Sequence, residues 1–214
     1  MFHSGRPATG FSKKTAPAGT DRRAANRHVT VLKTARLEVE GRDDLCLIRN
    51  ISNTGLMIQT SFPLRKDQHV VIEIRSDSRI GGTVRWTHDH TVGIQLDEPT
   101  DLSAMLTVKV TNKAKRTQSR APRFQRRGTA RIKSSEDAKV APIDNISLSG
   151  VRVATTGRFH VHDTVTVVID GLTETPGEVS WASGDAVGVH FFQPLKFREF
   201  ETWLLDPEHQ PEKP

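Results

Sequence analysis

Short runs in which apolar and polar residues alternate dominate the chain. Leu45, Leu47 and Ile51 alternate with Cys46, Ile48 and Asn50, and Leu56 and Ile58 with Met57 and Gln59. Val70, Ile72 and Ile74 alternate with Val71, Glu73 and Arg75, Val84 and Trp86 with Thr83 and Arg85, and Val92, Ile94 and Leu96 with Gly93 and Gln95. A period of two predicts strands with one face in a core. The same signature returns at Val151/Val153, Val165/Val167/Ile169, Val179/Trp181 and Val187/Val189/Phe191. Turn formers separate the runs: Arg65-Lys66-Asp67, Asp77-Ser78-Arg79 with Gly81-Gly82, and Gly171 through Gly177 with Pro176. A short helix is expected after each barrel: over Leu195 to Leu205, Phe197, Phe200, Trp203 and Leu204 fall at helical spacing and Pro207 ends the run. A weaker equivalent spans Leu102 to Val110, where Thr107, Val108 and Val110 are poor helix formers. Such a helix would cap an open barrel end.

The pattern is a duplication. Asn50-Ile51-Ser52-Asn53-Thr54-Gly55 recurs as Asn145-Ile146-Ser147-Leu148-Ser149-Gly150, 95 positions later. The same offset carries Val84, Trp86, Gly93 and Pro99 onto Val179, Trp181, Gly188 and Pro194 without a gap. Two units of this size read as two small domains rather than a solenoid, which needs shorter units repeated more often. Five or six antiparallel strands per unit predict a small barrel, which leaves no long sheet edge open. The predicted organisation is a disordered tail at 1–20, a barrel domain at 21–110, a linker at 111–119, a second barrel domain at 120–207 and a short tail at 208–214.

Composition narrows the classes. The 214 residues hold 35% hydrophobic residues and a net charge of +6. No run of 18 apolar residues occurs, which argues against membrane insertion, and Met1 to Thr20 lacks the apolar core of a secretory signal. The single cysteine, Cys46, excludes an intramolecular disulfide or a zinc ribbon and suits a reducing cytoplasm. The mild positive charge favours an anionic partner.

Its location is more telling than its sum. Arg22, Arg23 and Arg27 precede the first barrel, and Asn50, Ser52 and Gly55 follow about 23 residues after the arm. An RxxxR arm, a strand, (D/N)xSxxG, then a V-x-W and a late glycine resemble the PilZ domain, over roughly 20–110 and again 117–207. The resemblance implies a six-stranded antiparallel barrel that binds the bacterial second messenger cyclic di-GMP without catalysis. The residue types suit that ligand. Arginine forks phosphate oxygens and addresses guanine edges or faces, and Asn50 and Ser52, two apart on a strand, share a face. Gly55 tolerates positive φ, which suits a tight turn beside a ligand. By resemblance Arg23 and Arg27 grip the ligand over a platform of Asn50, Ser52 and Gly55.

Copy two departs from the pattern. Aligned with one residue deleted, Arg123 stands opposite Arg27 and Ser119 opposite Arg23, so the first arginine is missing and Arg120, one residue off, is its substitute. A literal RxxxR at Arg123–Arg127 sits nearer the strand, and Asn145, Ser147 and Gly150 are intact.

Other features have plainer readings. Trp86 and Trp181 fall on the inward register and are expected in the core, as is Cys46. His88/His90 and His160/His162 lack the partners of a metal site. No nucleophile triad, phosphate-cradling glycine loop or paired carboxylate appears, so neither enzyme nor cofactor is expected. The reading is a cytoplasmic cyclic di-GMP receptor in which ligand orders the arms and alters domain arrangement or a partner surface. Its alternative is a degenerate pair acting as an adaptor for a protein effector, with little nucleotide binding in the second barrel. Nucleic acid is not expected as a partner, because aromatics are 6% of the chain and the tryptophans are placed inward.

Overall fold

The computed structural model describes residues 1, 29–75, 78–101, 121–135, 138–155 and 158–211. Six strands form the first barrel: β1 (Val29–Val39), β2 (Arg42–Ser52), β3 (Gly55–Gln59), β4 (His69–Arg75), β5 (Ser78–His88) and β6 (Thr91–Leu96). Six form the second: β7 (Thr129–Lys133), β8 (Ala138–Ser147), β9 (Gly150–Ala154), β10 (Thr164–Ile169), β11 (Thr175–Ser183) and β12 (Ala186–Phe191). Each sheet closes on itself, in the order β1-β2-β3-β6-β5-β4 and its counterpart β7-β8-β9-β12-β11-β10, with every pairing antiparallel. Helix α1 (Phe197–Leu205) follows the second barrel. The segments at 1–20, 102–110 and 111–119, expected as tail, helix and linker, lie outside the described residues apart from Met1.

Alternation builds both cores. Ala35, Leu37 and Val39 point inward from β1 and meet Val70, Ile72 and Ile74 of β4, while Arg36 and Glu38 face out. Gly81, Gly82 and Gly177, expected in turns, lie within strands β5 and β11. An added Cβ would meet the Gln95 carbonyl at 2.7 Å from Gly82 and the His190 carbonyl at 2.4 Å from Gly177, so these glycines allow a close strand approach.

Bulges change which residues face the core. In β2 the pairing slips between Ile48 and Asn50, with Arg49 the extra residue. Cys46 and Ile48 therefore point inward before the bulge and Ile51 after it, which corrects the single register expected for Leu45, Leu47 and Ile51. Leu45 faces away from its own barrel and joins the core of the second. A second bulge falls between Val84 and Trp86, and both recur in copy two, at Ile143/Asn145 and Val179/Trp181.

Helix α1 packs on the second barrel, with Trp203 against the β10–β11 turn, and it also touches the first barrel. Phe200, Trp203 and Leu204 pack into the second core, with Phe200 edge-on to Phe124 at 6.0 Å. On its other face Leu205 packs against the first core, and the fully buried Glu201 accepts the Ser61 amide at 2.5 Å and hydroxyl at 2.8 Å. Nearby, Arg126 donates to the Asp43 carboxylate at 2.8 Å and carbonyl at 2.6 Å. The guanidinium groups of Arg36 and Arg126 lie 5.3 and 5.4 Å from the centre of the Phe124 ring, and Arg36 also donates to the Arg123 carbonyl. Asp44 is 1% exposed beside this contact and accepts the Leu45 amide at 2.6 Å. Burial pushes its carboxyl up to about 7.

Candidate functional site

The bulge in β2 is what shapes the site. By reversing parity after Ile48, it sends Ile51 into the core and turns Asn50 and Ser52 to the outer face. The β5 bulge does the same to Trp86, which is 46% exposed rather than in the core. Trp181 is likewise only half-buried, so the inward placement expected for both tryptophans is corrected, and with it one argument made against nucleic acid. The sequence signal for the outward ring was the late glycine. Trp86 pairs with Gly93, where an added Cβ would stand 2.1 Å from the indole Nε1; Trp181 and Gly188 repeat this at 2.2 Å. The indole lies flat across a glycine because no side chain lifts it.

Asn50, Ser52, Gly55, Met57, Trp86 and Gln95 line a shallow outer depression of about 300 Å³. Arg85 lies at its rim, donating to Gln95 at 2.7 Å. Arg85, Trp86, Met57 and Gln95 were not among the sequence-derived site residues. The Ser52 hydroxyl donates to the Gly55 carbonyl at 3.2 Å and braces the β2–β3 turn; Ser147 does the same to Gly150 at 3.2 Å. Neither Gly55 nor Gly150 is at positive φ. Glycine is required there because an added Cβ would meet the Ile94 carbonyl at 3.0 Å and the Val189 carbonyl at 2.4 Å, across the sheet.

Arg22, Arg23, Arg27 and Arg120 lie outside the described residues. What is described is where the arms lead. Val29 pairs with Ile51, and Phe124 forms an isolated bridge with Ile146. The ungapped offset therefore reaches back to Val29 and Phe124, matching Arg123 in sequence to His28 rather than to Arg27. Phe124 and Ile146 are buried, so Arg123, next to the bridge, falls level with Ser147 on the outer face. Arg126 turns the other way, into the contact with Asp43.

The second barrel assembles Asn145, Ser147 and Gly150 as the first does, with two differences. The Asn145 carbonyl oxygen is buried without a hydrogen-bond partner among the described residues. The guanidinium of Arg152 lies 5.5 Å from the Trp181 ring centroid, where barrel one carries Met57. Cys46 is fully buried, and burial pushes its thiol up, so it is held as an unreactive thiol in the core. Among the described residues no group of three or more His, Cys, Asp or Glu could hold a metal ion, and no helix is long and apolar enough to cross a membrane.

Several solved structures are similar to the chain over most of its length. PlzA of Borreliella burgdorferi, in complex with c-di-GMP, is 10% identical over 83% of this chain and 92% of its own, with a TM-score of 0.32. The Bacillus subtilis inhibitor of motility MotI/DgrA is 15% identical over 83% and 96%, with a TM-score of 0.34. YcgR of Escherichia coli, in complex with c-di-GMP, is 11% identical over 79% and 77%, with a TM-score of 0.31. No curated protein matches the sequence. The PilZ domain model matches twice, at residues 21–109 and 115–204, one match for each barrel and its arm. The chain therefore belongs to the PilZ domain family, as a tandem of two.

Proposed function

We propose that the chain is a non-catalytic receptor for cyclic di-GMP, with the first barrel as its better site. One observation carries this reading. Two bulges bring Asn50, Ser52 and the face of Trp86 to one outer depression, beside the strand that the Arg22–Arg27 arm enters. The polar side chains there suit a base edge, the indole suits a purine face, and the arm supplies guanidinium groups for phosphate. Arg23 and Arg27 are the proposed clamp and Asn50, Ser52 and Gly55 the platform; Arg120, Arg123, Asn145, Ser147 and Gly150 are their counterparts in barrel two.

The arm of barrel two supports a coupling of ligand to domain arrangement. Between Arg123, level with Ser147, and Arg126, held by Asp43 of the first barrel, only two residues intervene. A ligand that draws on Arg123 pulls on a segment tied to the other barrel. Calorimetric titration with cyclic di-GMP tests the receptor reading. Binding at low-micromolar Kd, weakened more than about tenfold by Arg27→Ala, is expected. No heat from the wild type, or an unchanged Kd in Arg27→Ala, overturns it.

A further inference from the structure

The two outer sites differ at a coordinated pair of positions. Across barrel one, Trp86 of β5, Gly93 of β6 and Met57 of β3 stand side by side in register. In barrel two the same row is Trp181, Gly188 and Arg152. The central glycine has no side chain to separate its neighbours, so whatever stands at 57 or 152 can reach the indole over it. Methionine leaves the Trp86 ring 46% exposed. Arginine does not leave Trp181 so: its guanidinium lies 5.5 Å from the ring centroid. A second change holds it there. The bulge residue is Arg49 in barrel one and Asp144 in barrel two, and Asp144 Oδ2 lies 2.9 Å from Arg152 Nε. The contact is an ion pair rather than a directed hydrogen bond, since Arg152 Nε is buried with no hydrogen-bond partner. An arginine at 57 would find Arg49 where Arg152 finds a carboxylate.

We propose that Arg152 is an intramolecular competitor for the Trp181 face, anchored by Asp144, and that it ranks the two sites so that barrel one fills first. The inference rests on the receptor reading above. A planar cation on an indole occupies the surface that a ligand base would stack on. Displacing it forfeits a half-exposed cation–π contact and strains a half-exposed ion pair, together worth about a tenfold loss of affinity. Barrel two keeps the rest of its platform, including the unpartnered oxygen of Asn145, which can accept a base N–H once the ring is free.

The test is Arg152→Met, which gives barrel two the residue that barrel one carries. Calorimetry of the full chain with cyclic di-GMP should show a second binding step about tenfold tighter than in the wild type, with the first step unchanged. A second readout needs no nucleotide. In a Trp86→Phe background Trp181 is the accessible indole, because Trp203 is buried, and Arg152→Met should raise its acrylamide quenching severalfold. An unchanged second step, or one weakened by the substitution, overturns the proposal, the latter by making Arg152 a ligand contact. Unchanged quenching also overturns it. Absence of binding in every variant defeats the receptor reading instead, while quenching still reports whether Arg152 covers the ring.

Discussion

At Gly93 a single methyl group decides where an indole lies. An added Cβ would stand 2.1 Å from Trp86 Nε1 and 2.2 Å from Cε2, far inside contact distance. Trp86 is half-exposed and free to swing outward, so Gly93→Ala should keep the barrel folded at a cost of about 1–3 kcal/mol. It should also remove the stacking face and weaken cyclic di-GMP binding by at least about tenfold. Gly184→Ala, where an added Cβ meets nothing within 4 Å, is the control and should change neither property. Thermal melts and titration of both variants check this; equal affinity for Gly93→Ala and wild type would show that the indole is no platform. The V-x-W and late-glycine pattern was legible in the sequence, but its sense was not. Alternation counted through Val84 and Trp86 puts the ring inside; one extra residue at Arg85 puts it outside. A bulge carries no strong composition signal, so parity is the part of a strand that periodicity alone misplaces.

At the level of elements, period two marked β2 to β6 and β9 to β12 but not β1, β7 or β8, and the duplication followed from an ungapped offset. What helix α1 does was not legible. Helical spacing shows that Phe200, Trp203 and Leu204 share a buried face, yet it cannot show that Glu201, one step round the helix, is equally buried. Its partner Ser61 lies 140 residues earlier, in the other barrel. This carboxylate accepts both an amide and a hydroxyl across the contact, with Arg198 of its own helix 3.5 Å away, and so ties the helix to the first barrel. Glu201→Ala leaves those Ser61 donors unpaired and should destabilise the docked arrangement by about 2–4 kcal/mol. The Phe200 and Trp203 packing is untouched, so each barrel should stay folded. Expected is a larger radius of gyration in solution scattering, with β-sheet circular dichroism retained. An unchanged radius would show that Glu201 does not hold the barrels together.

Among the described residues, the buried charged side chains Asp44, Arg126 and Glu201 gather where the two barrels meet. Asp43, Asp44 and Arg36 of the first barrel face Arg126 and Glu201 of the second, around the buried ring of Phe124. Asp44 is the costly member. Its carboxyl is raised from 3.8 to about 7: burial is the main cause, opposed by the Leu45 amide and Arg126 and reinforced by Glu201 and Asp43. The sign follows from linkage. Below about pH 4 the group is protonated in folded and unfolded chains alike and has no effect. Between about pH 4 and 7 the unfolded chain gives up the proton first, so stability falls as pH rises. Above about pH 7 both states are ionised and the full cost, about 4 kcal/mol, is present. Asparagine has nearly the same shape and cannot ionise, and its Oδ1 can still accept the Leu45 amide. Asp44→Asn should therefore gain stability over the wild type as pH is raised from 5 to 8, by a few kcal/mol. Urea denaturation of the full chain at both pH values measures it. Parallel pH profiles for the two proteins would mean that Asp44 ionises freely in the folded state.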